Sequence, residues 1–540
     1  MGGLSTYNLA DVWEAVADRV GDRTALVVGD LRRTYSDLEE RANRLAHWMA
    51  AQGVGEGDHI GLYLTNSPEY IEAMLAAYKL RAVPVNVNYR YVEAELRHLF
   101  SDADLSGVVF HREFAARAEA IRPDLACVRW WLAVEDRTSQ VTVDGEVRYE
   151  EALEGASPGR DFGPRGDGDL YVIYTGGTTG LPKGVMWRQA DAFFACIGGG
   201  DPMRLLGPVS SPGEVLDRIL DNPFVYMPVA PLMHAAGQWT ALSWLYCGGT
   251  VVLVPGPLDP VRVWQTVAAE KVNLVTLVGD AIARPLVDAW VEKGPFDASS
   301  LVSIASGGAP LSPAIRSRIM ELFPEVTIAD GFGSSETGAQ GTYRIEPGSS
   351  PVQAASFTPF DDSAAVIRLD TLEPVRPGSG EVGRVARRGH IPIGYYNDYD
   401  KTVATFVELA GQRWALTGDM ATVDSDGSIN LLGRGSVCIN TGGEKVHPEE
   451  VEATLKSHPA VYDVVVVGVP DQRWGERVAA VAQLRPGAQM SLAQAQEHCR
   501  TSLAGYKIPR ALVLVDQVQR SPAGKADYRW ATKVAGAADR

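Results

Sequence analysis

The sequence predicts a layered α/β protein: a large N-terminal domain of parallel and mixed sheets flanked by helices, followed by a small α+β domain. Three observations predict it. Short apolar runs alternate with stretches of helical periodicity, the pattern of the strand–helix units that build parallel sheets. Several of those runs end in glycine-rich loops, and ligands of open α/β sheets bind outside the carboxyl ends of strands. Finally, 540 residues, 46% of them hydrophobic, are too many for one core. We divide the chain into residues 1–435 and 436–540.

Thr34 to Glu39 opens a helix, with Ser36 and Glu39 in capping-box spacing and Leu38, Ala42, Leu45, Ala46 and Met49 on one apolar face. Gly53 stops it. His59 to Leu64 reads as a strand, Glu69 to Lys79 as a helix, and Val83 to Asn88 and Ser106 to Phe110 as further strands. Arg137 to Arg165 is polar and rich in Gly, Pro and Asp, and reads as a surface hairpin. Trp187 to Ile197 is expected to be a helix, and the irregular run Gly198 to Pro223 an insertion over the site. Val272 to Val278, Leu301 to Ala305 and Val326 to Ala329 read as buried strands that end at Gly279-Asp280, Ser306-Gly307-Gly308-Ala309-Pro310 and Asp330-Gly331-Phe332-Gly333-Ser334-Ser335-Glu336. In the smaller domain, Pro448 to His458 and Gln494 to Ala504 read as helices, and Val464 to Gly468 and Val478 to Leu484 as strands.

Composition excludes several classes. A net charge of −17 argues against a nucleic-acid partner, which wants a basic face. The five cysteines lie far apart, with no C-x-x-C pair, which fits neither a zinc site nor a disulfide framework. Met1 to Ala10 lacks the basic start and apolar run of a signal peptide. No stretch approaches the roughly 20 apolar residues of a membrane span. A cytoplasmic protein is expected. With homodimers the commonest soluble oligomers, a homodimer is the default arrangement.

The stretch that organises the chemistry is Leu170 to Val185. A buried strand leads into Thr175-Gly176-Gly177-Thr178-Thr179-Gly180, and Lys183 follows. Glycines let backbone N–H groups crowd a ligand, threonines add hydroxyl donors and the lysine adds a point charge, an inventory that suits a polyphosphate. It is not the P-loop of GTPases, because Gly184 stands where a Ser or Thr should follow the lysine.

Tyr174 to Gly184 resembles the phosphate loop of the adenylate-forming superfamily, which includes acyl-CoA synthetases, luciferases and the adenylation domains of peptide synthetases. The resemblance covers nearly the whole chain, and it implies the following roles. Thr175 to Thr179 and Lys183 hold the β- and γ-phosphates of ATP. Gly307, Gly308 and Ala309 line one face of adenine and Phe332 stacks on the other, with Asp330 at its edge and Gly331 and Gly333 alongside. Ser335 stands where the family usually has Thr and still offers a hydroxyl. Glu336 holds Mg2+. Asp419 and Arg434 contact the ribose. His234, in Ala230 to Gly237, lies where the acid's carboxylate meets the phosphates. No Asp occurs between Met227 and Thr240 to hold an amino group, which weighs against an amino-acid substrate.

The resemblance also implies that the small domain is a mobile lid. Lys525 matches the catalytic lysine, and Gly442 and Gly443 match the loop lining the pantetheine tunnel for CoA. Ser436 replaces the usual hinge Asp and Asn440 a usual Lys, so the pivot is assigned to Gly435 and Ser436. Small residues at Gly279, Ala305 and Gly331 suggest a roomy acyl pocket. The implied activity is ATP-dependent acyl-CoA synthesis through an acyl adenylate, with ATP, CoA and a carboxylic acid as partners. Gly184 to Arg188 and Gly435 to Thr441 resemble the branch acting on steroid side-chain and fatty acids. A luciferase-like oxygenase, or an acyl-AMP ligase that passes the adenylate to a carrier protein, shares the same motifs. A non-enzymatic nucleotide sensor is disfavoured by the presence of Lys183, Glu336, Asp419 and Lys525.

Overall fold

A nine-stranded mixed sheet forms the spine of the protein in the computed structural model, which describes residues 4–136, 138–175, 182–349, 356–441, 444–471, 475–520 and 524–538. Its centre is parallel: Val225–Pro228, Thr250–Val252, Leu274–Leu277, Ser303–Gly307 and Thr327–Ser334. Helices Pro260–Glu270, Gly279–Lys293 and Pro313–Leu322 connect these strands, and they bury Val263, Trp264, Val267, Leu286, Ile315 and Ile319 in one cluster with the sheet. A second, five-stranded sheet is wholly parallel and contains Val83–Asn86, His59–Tyr63, Leu105–His111 and Trp130–Val134. All four of these strands are buried along their length, as parallel strands covered on both faces should be. A three-stranded antiparallel sheet, Gly394–Tyr395, Lys183–Arg188 and Leu170–Thr175, lies beside it.

The C-terminal part has a sheet of its own, Glu444–Val446, Ile439–Thr441, Gly475–Leu484 and Val461–Asp471, with Ala511–Leu514 pairing to Gly475–Leu484. Helices Pro448–Lys456 and Leu492–Arg500 cover one face through Val451, Leu455, Ala495 and Cys499. Tyr528–Ala537 covers the other through Ala531 and Ala535. The sheet thus carries a hydrophobic cluster on each side.

Several sequence expectations need correction. The helix Tyr35–Ala51 is capped by Thr34 and Asp37, not by Ser36 and Glu39: the Asp37 N–H donates to Thr34 Oγ1 at 3.0 Å and the Thr34 N–H to Asp37 Oδ2 at 2.9 Å. The same S/T-x-x-D/E spacing occurs in two frames here, and burial decides between them. Glu39 is buried, accepting from Trp13 Nε1 at 2.6 Å and from Lys79 Nζ at 2.8 Å, so it is unavailable as a cap. The expected hairpin at 137–165 is instead a short edge strand, Val147–Arg148, parallel to Trp130–Val134, followed by the helix Tyr149–Glu154. Trp187 belongs to a strand, and the helix starts later, at Gln189–Ala195. The run 198–223 packs through its short helix Glu214–Asp217 on Leu9–Val20, with Val209 and Val215 in the main core, rather than over the site. Finally, Asp330 to Gly333 do not follow a strand but continue it, because Thr327–Ser334 keeps pairing with Gly338–Ile345. Among the described residues no helix is long and apolar enough to cross a membrane.

Candidate active site

The strand Leu170–Thr175 delivers the chain to the glycine-rich loop, and Asn86 fixes where it arrives. Asn86 Oδ1 accepts from the Tyr174 N–H at 2.7 Å, while its Nδ2 donates to Tyr174 O at 2.8 Å and to Met233 O at 2.7 Å. One buried amide therefore clamps the phosphate-loop strand to the turn that presents His234. Residues 176–181 of the loop, with the expected contacts Gly176, Gly177, Thr178 and Thr179, lie outside the described residues, as do Gly442 and Gly443. Thr175 and Lys183, at the two feet of the loop, face each other across the hairpin. The Lys183 ammonium is ion-paired to Asp398, and this hydrogen bond holds the Asp398 carboxyl below its ordinary range.

His234 stands immediately before the helix Ala235–Leu245. It lines a cavity of about 140 Å³ of mixed character, with Val229, Val254 and Ile282 on one hand and Asn66, Arg90 and Asp259 on the other, and with Gly524 from the C-terminal part. Gly279, Ala305 and Gly331, expected in the acyl pocket, do not line this cavity. Gly279 is needed for another reason: at φ +52° a Cβ there would sit 2.6 Å from Pro310 O, so the backbone of Ala309 and Pro310 fills that space. Ala305 and Gly331 are paired inside the central sheet, opposite Ala329 and Gly307.

The strand ends treat their glycines differently. A Cβ at Gly307 would meet nothing nearer than 3.7 Å and one at Gly308 nothing nearer than 4.0 Å, which leaves that backbone open to a ligand. Gly333, by contrast, is pressed against Gly338 O. Phe332 is buried in a small core with Val366, Val385 and Phe357, its ring edge-to-face with Phe357 at 5.2 Å. Asp330 is buried with Arg316 3.9 Å away, and burial pushes its carboxyl up to about 7.

Glu336 is partly buried, and its Oε1 accepts from the Tyr395 hydroxyl at 2.8 Å. The Trp187 indole N–H donates to Ser335 O at 3.1 Å, tying this turn to the phosphate-loop hairpin. Asp419 and Arg434 lie opposite each other on adjacent strands, 3.4 Å apart, with their side chains about one-third exposed. Lys525 reaches this group from the C-terminal part. Burial and the neighbouring Arg434 lower its pKa, while Glu336 and Asp419 act to raise it.

The C-terminal part is seated by specific contacts. Lys456 Nζ lies 3.5 Å from Asp280, Arg485 3.8 Å from Asp288, and the Arg284 guanidinium 5.2 Å from the Tyr462 ring centre. Glu449 is pressed under Gly433, where a Cβ would come within 2.0 Å of Glu449 Oε2. Tyr528 donates to Glu449 Oε1 at 3.2 Å, and among the described residues Oε2 has no hydrogen-bond partner. A cleft of about 920 Å³, lined by Arg90, Arg284, Tyr462, Arg520 and Gly524 among others, separates the two parts beside this contact.

A family profile described as AMP-binding enzyme matches residues 13–396, and one described as AMP-binding enzyme C-terminal domain matches 450–525. The chain belongs to the AMP-binding enzyme family. Among curated members, it is 45% identical over 536 residues to the 3-oxocholest-4-en-26-oate–CoA ligase of Rhodococcus rhodochrous, covering 98% of this chain and 96% of that one. It is 46% identical over 533 residues to the medium/long-chain-fatty-acid–CoA/3-oxocholest-4-en-26-oate–CoA ligase of Mycolicibacterium smegmatis, with the same coverage. Among solved structures it shares the fold of the anthranilate CoA ligase AuaEII in complex with anthranoyl-AMP, with TM-score 0.84, 24% identity and 99% and 98% of the two chains covered. ATP-bound MatB from Rhodopseudomonas palustris gives TM-score 0.81, 23% identity and 98% coverage of both.

Sequence reasoning missed Asn86, Tyr395, Asp398 and the Lys456–Asp280 contact. Nothing marks Asn86 beyond being a polar residue at the end of a buried strand. The run Gly394 to Thr402 carries a visible signal, three tyrosines and three charges in a stretch preceded by Gly389 to Ile393, but its partners are far away in the chain.

Proposed function

We propose that this AMP-binding enzyme is an ATP-dependent acyl-CoA synthetase acting on fatty or steroid side-chain acids. The observation that carries the reading is that Lys525 lies within electrostatic reach of Glu336, Asp419 and Arg434, while its neighbour Gly524 lines the same cavity as His234. In the first half-reaction a carboxylate oxygen attacks the α-phosphorus of ATP and pyrophosphate leaves. The protein's task is positioning and neutralising negative charge. Lys183 and the loop at 175–180 take the β- and γ-phosphates, Lys525 the carboxylate and α-phosphate oxygens, and Asp419 and Arg434 the ribose. Adenine lies between the open backbone of Gly307, Gly308 and Ala309 and the ring of Phe332.

Glu336 suits a hard cation. Tyr395 engages one of its oxygens, and Oε2 accepts no hydrogen bond among the described residues. No group of three or more His, Cys, Asp or Glu converges among the described residues, so a dedicated protein cage is not built there. A single carboxylate sharing the ion with substrate phosphates is the usual way of holding Mg2+. When bound, Mg2+ neutralises phosphate charge.

For the second half-reaction the C-terminal part rotates about Gly435 and Ser436, withdrawing Lys525 and bringing Gly442 and Gly443 to the site for attack by the CoA sulfur. The 140 Å³ cavity is close to the roughly 150 Å³ engineered cavity that accepts benzene, so it holds only the carbons next to the carboxylate. Longer tails must extend past Asn66 and Tyr89, which also line it. The test is acid-dependent ATP–pyrophosphate exchange, followed by CoA-dependent AMP release over a panel of fatty, aryl and steroid side-chain acids. Exchange without CoA-dependent turnover would mark an acyl-AMP ligase, and no exchange with any acid would reject adenylation.

A further inference from the structure

The segment Gly394 to Thr402 meets the site at two points, and Lys401 packs beside both. Tyr395 donates to Glu336 Oε1. Asp398 pairs with Lys183 through Oδ2 and, through Oδ1, accepts the Lys401 N–H at 3.1 Å. The Lys401 ammonium lies over the Tyr395 ring, 4.7 Å from its centre. It is partly buried, and among the described residues it forms no ion pair. Burial, Lys183 and Arg434 lower its pKa, while Glu336 and Asp398 act to raise it, so the cations and carboxylates of the site are within electrostatic reach of its ammonium. A partly desolvated ammonium without an ion-pair partner is costly to keep unless it receives an anion. Lys183, the side chain assigned to the β- and γ-phosphates, is held by Asp398.

We infer that Lys401 is a second phosphate-contacting cation of this site, holding the β- and γ-phosphates of ATP and then the departing pyrophosphate alongside Lys183. This rests on the adenylate-forming reading above. In that step the bond from the carboxylate oxygen to the α-phosphorus forms as the α–β bridging P–O bond breaks. The electron pair stays on the bridging oxygen, which leaves with pyrophosphate, and charge accumulates on the leaving group. A compact ammonium beside that group stabilises it. Asp398 is a positioning residue. It holds Lys183 until a polyphosphate displaces it, and it fixes the helix turn that carries Lys401.

The test uses inorganic pyrophosphate as probe on the full chain. Parent, Lys401→Gln and Lys401→Arg proteins are titrated with pyrophosphate in ATP–pyrophosphate exchange and, separately, by calorimetry without acid. Lys401→Gln should raise the half-saturating pyrophosphate concentration by about tenfold or more in both assays. Lys401→Arg, which keeps the charge and the ring contact, should stay within about threefold of the parent. CoA thioester formation from preformed acyl adenylate should be unchanged in both. Undiminished pyrophosphate affinity in Lys401→Gln would overturn the inference, as would an equal fall in the thioester step. If the parent shows no exchange with any acid, the adenylation reading fails, while calorimetry still decides whether Lys401 binds pyrophosphate. Thermal unfolding checks that each variant is folded, and should Lys401→Gln not fold, Lys401→Met is measured the same way.

Discussion

Lys525 and Glu336 make different demands on their surroundings. Burial and Arg434 both disfavour the Lys525 ammonium, while Glu336 and Asp419 favour it. In the proposed mechanism its work belongs to the first half-reaction alone. Lys525→Ala is predicted to lower adenylation by several orders of magnitude, corresponding to ~3–5 kcal/mol of lost charge stabilisation. With preformed acyl adenylate, the variant should still make thioester, and an equal loss in both steps would refute the two-position scheme. Glu336 must present its carboxylate in a fixed orientation, and Tyr395 supplies the fix. Tyr395→Phe removes a hydrogen bond to a charged acceptor, a loss of about 1.5–3 kcal/mol. We predict a Mg2+ titration displaced to higher concentration by about tenfold. An unmoved titration would mean that the phosphates alone orient the ion.

At the level of elements, the alternation of strands and helices was legible because apolar runs and capping residues are local signals. The strands at His59–Tyr63, Val83–Asn86, Leu105–His111, Leu170–Thr175, Leu274–Leu277 and Ser303–Gly307 were placed to within a few residues, whereas Trp130–Val134, Val225–Pro228 and Thr250–Val252 were not read at all. The errors share a physical origin. Asp330 to Gly333 look like a loop by composition, yet Gly338–Ile345 pairs with them and keeps them extended. Trp187 sits in a strand because Tyr171 pairs opposite it. Which glycines leave open backbone and which receive a neighbour was likewise illegible, as Gly279 and Gly308 differ only in what the distant chain places against them. The small residue at Gly433 gives a test at this scale. Its φ of +89° and its contact with Glu449 both exclude a side chain. Gly433→Ala should unseat the helix Pro448–Lys456 and slow adenylation by about tenfold or more, for a strain of 1–3 kcal/mol. Thioester formation from acyl adenylate should be spared, and a parallel fall in both steps would show that the strand itself, not the seat, has failed.

For the whole molecule, the seat of the C-terminal part should depend on pH. Burial and the nearby Glu452 push the Glu449 carboxyl up to about 8, with Asp419 from the neighbouring strand adding to the rise and Tyr528 opposing it. Cys438, on the linking segment, lies within electrostatic reach as well. The sign follows from the raised value. The seated form favours the protonated acid, so its advantage is complete below the ordinary carboxylate range near 4 and is lost as pH rises through about 8. A fluorescence-transfer pair, with one label on each part, should therefore report a falling seated fraction from pH 6 to about 9. Glu449→Gln, neutral throughout, should flatten that curve, and an unchanged slope would place the titration elsewhere, with Asp330 the first candidate.

The sheet that carries a hydrophobic cluster on each face has a consequence for inheritance. Such a unit takes its fold with it when moved, and of its described residues Gly524 alone lines the cavity beside His234. If the proposed mechanism holds, acid preference and the ammonium that activates the acid are encoded in separable stretches of the gene. Recombination near the codon for Gly435 would exchange one without disturbing the other, so that a lineage could diversify its substrates while keeping a common catalytic module.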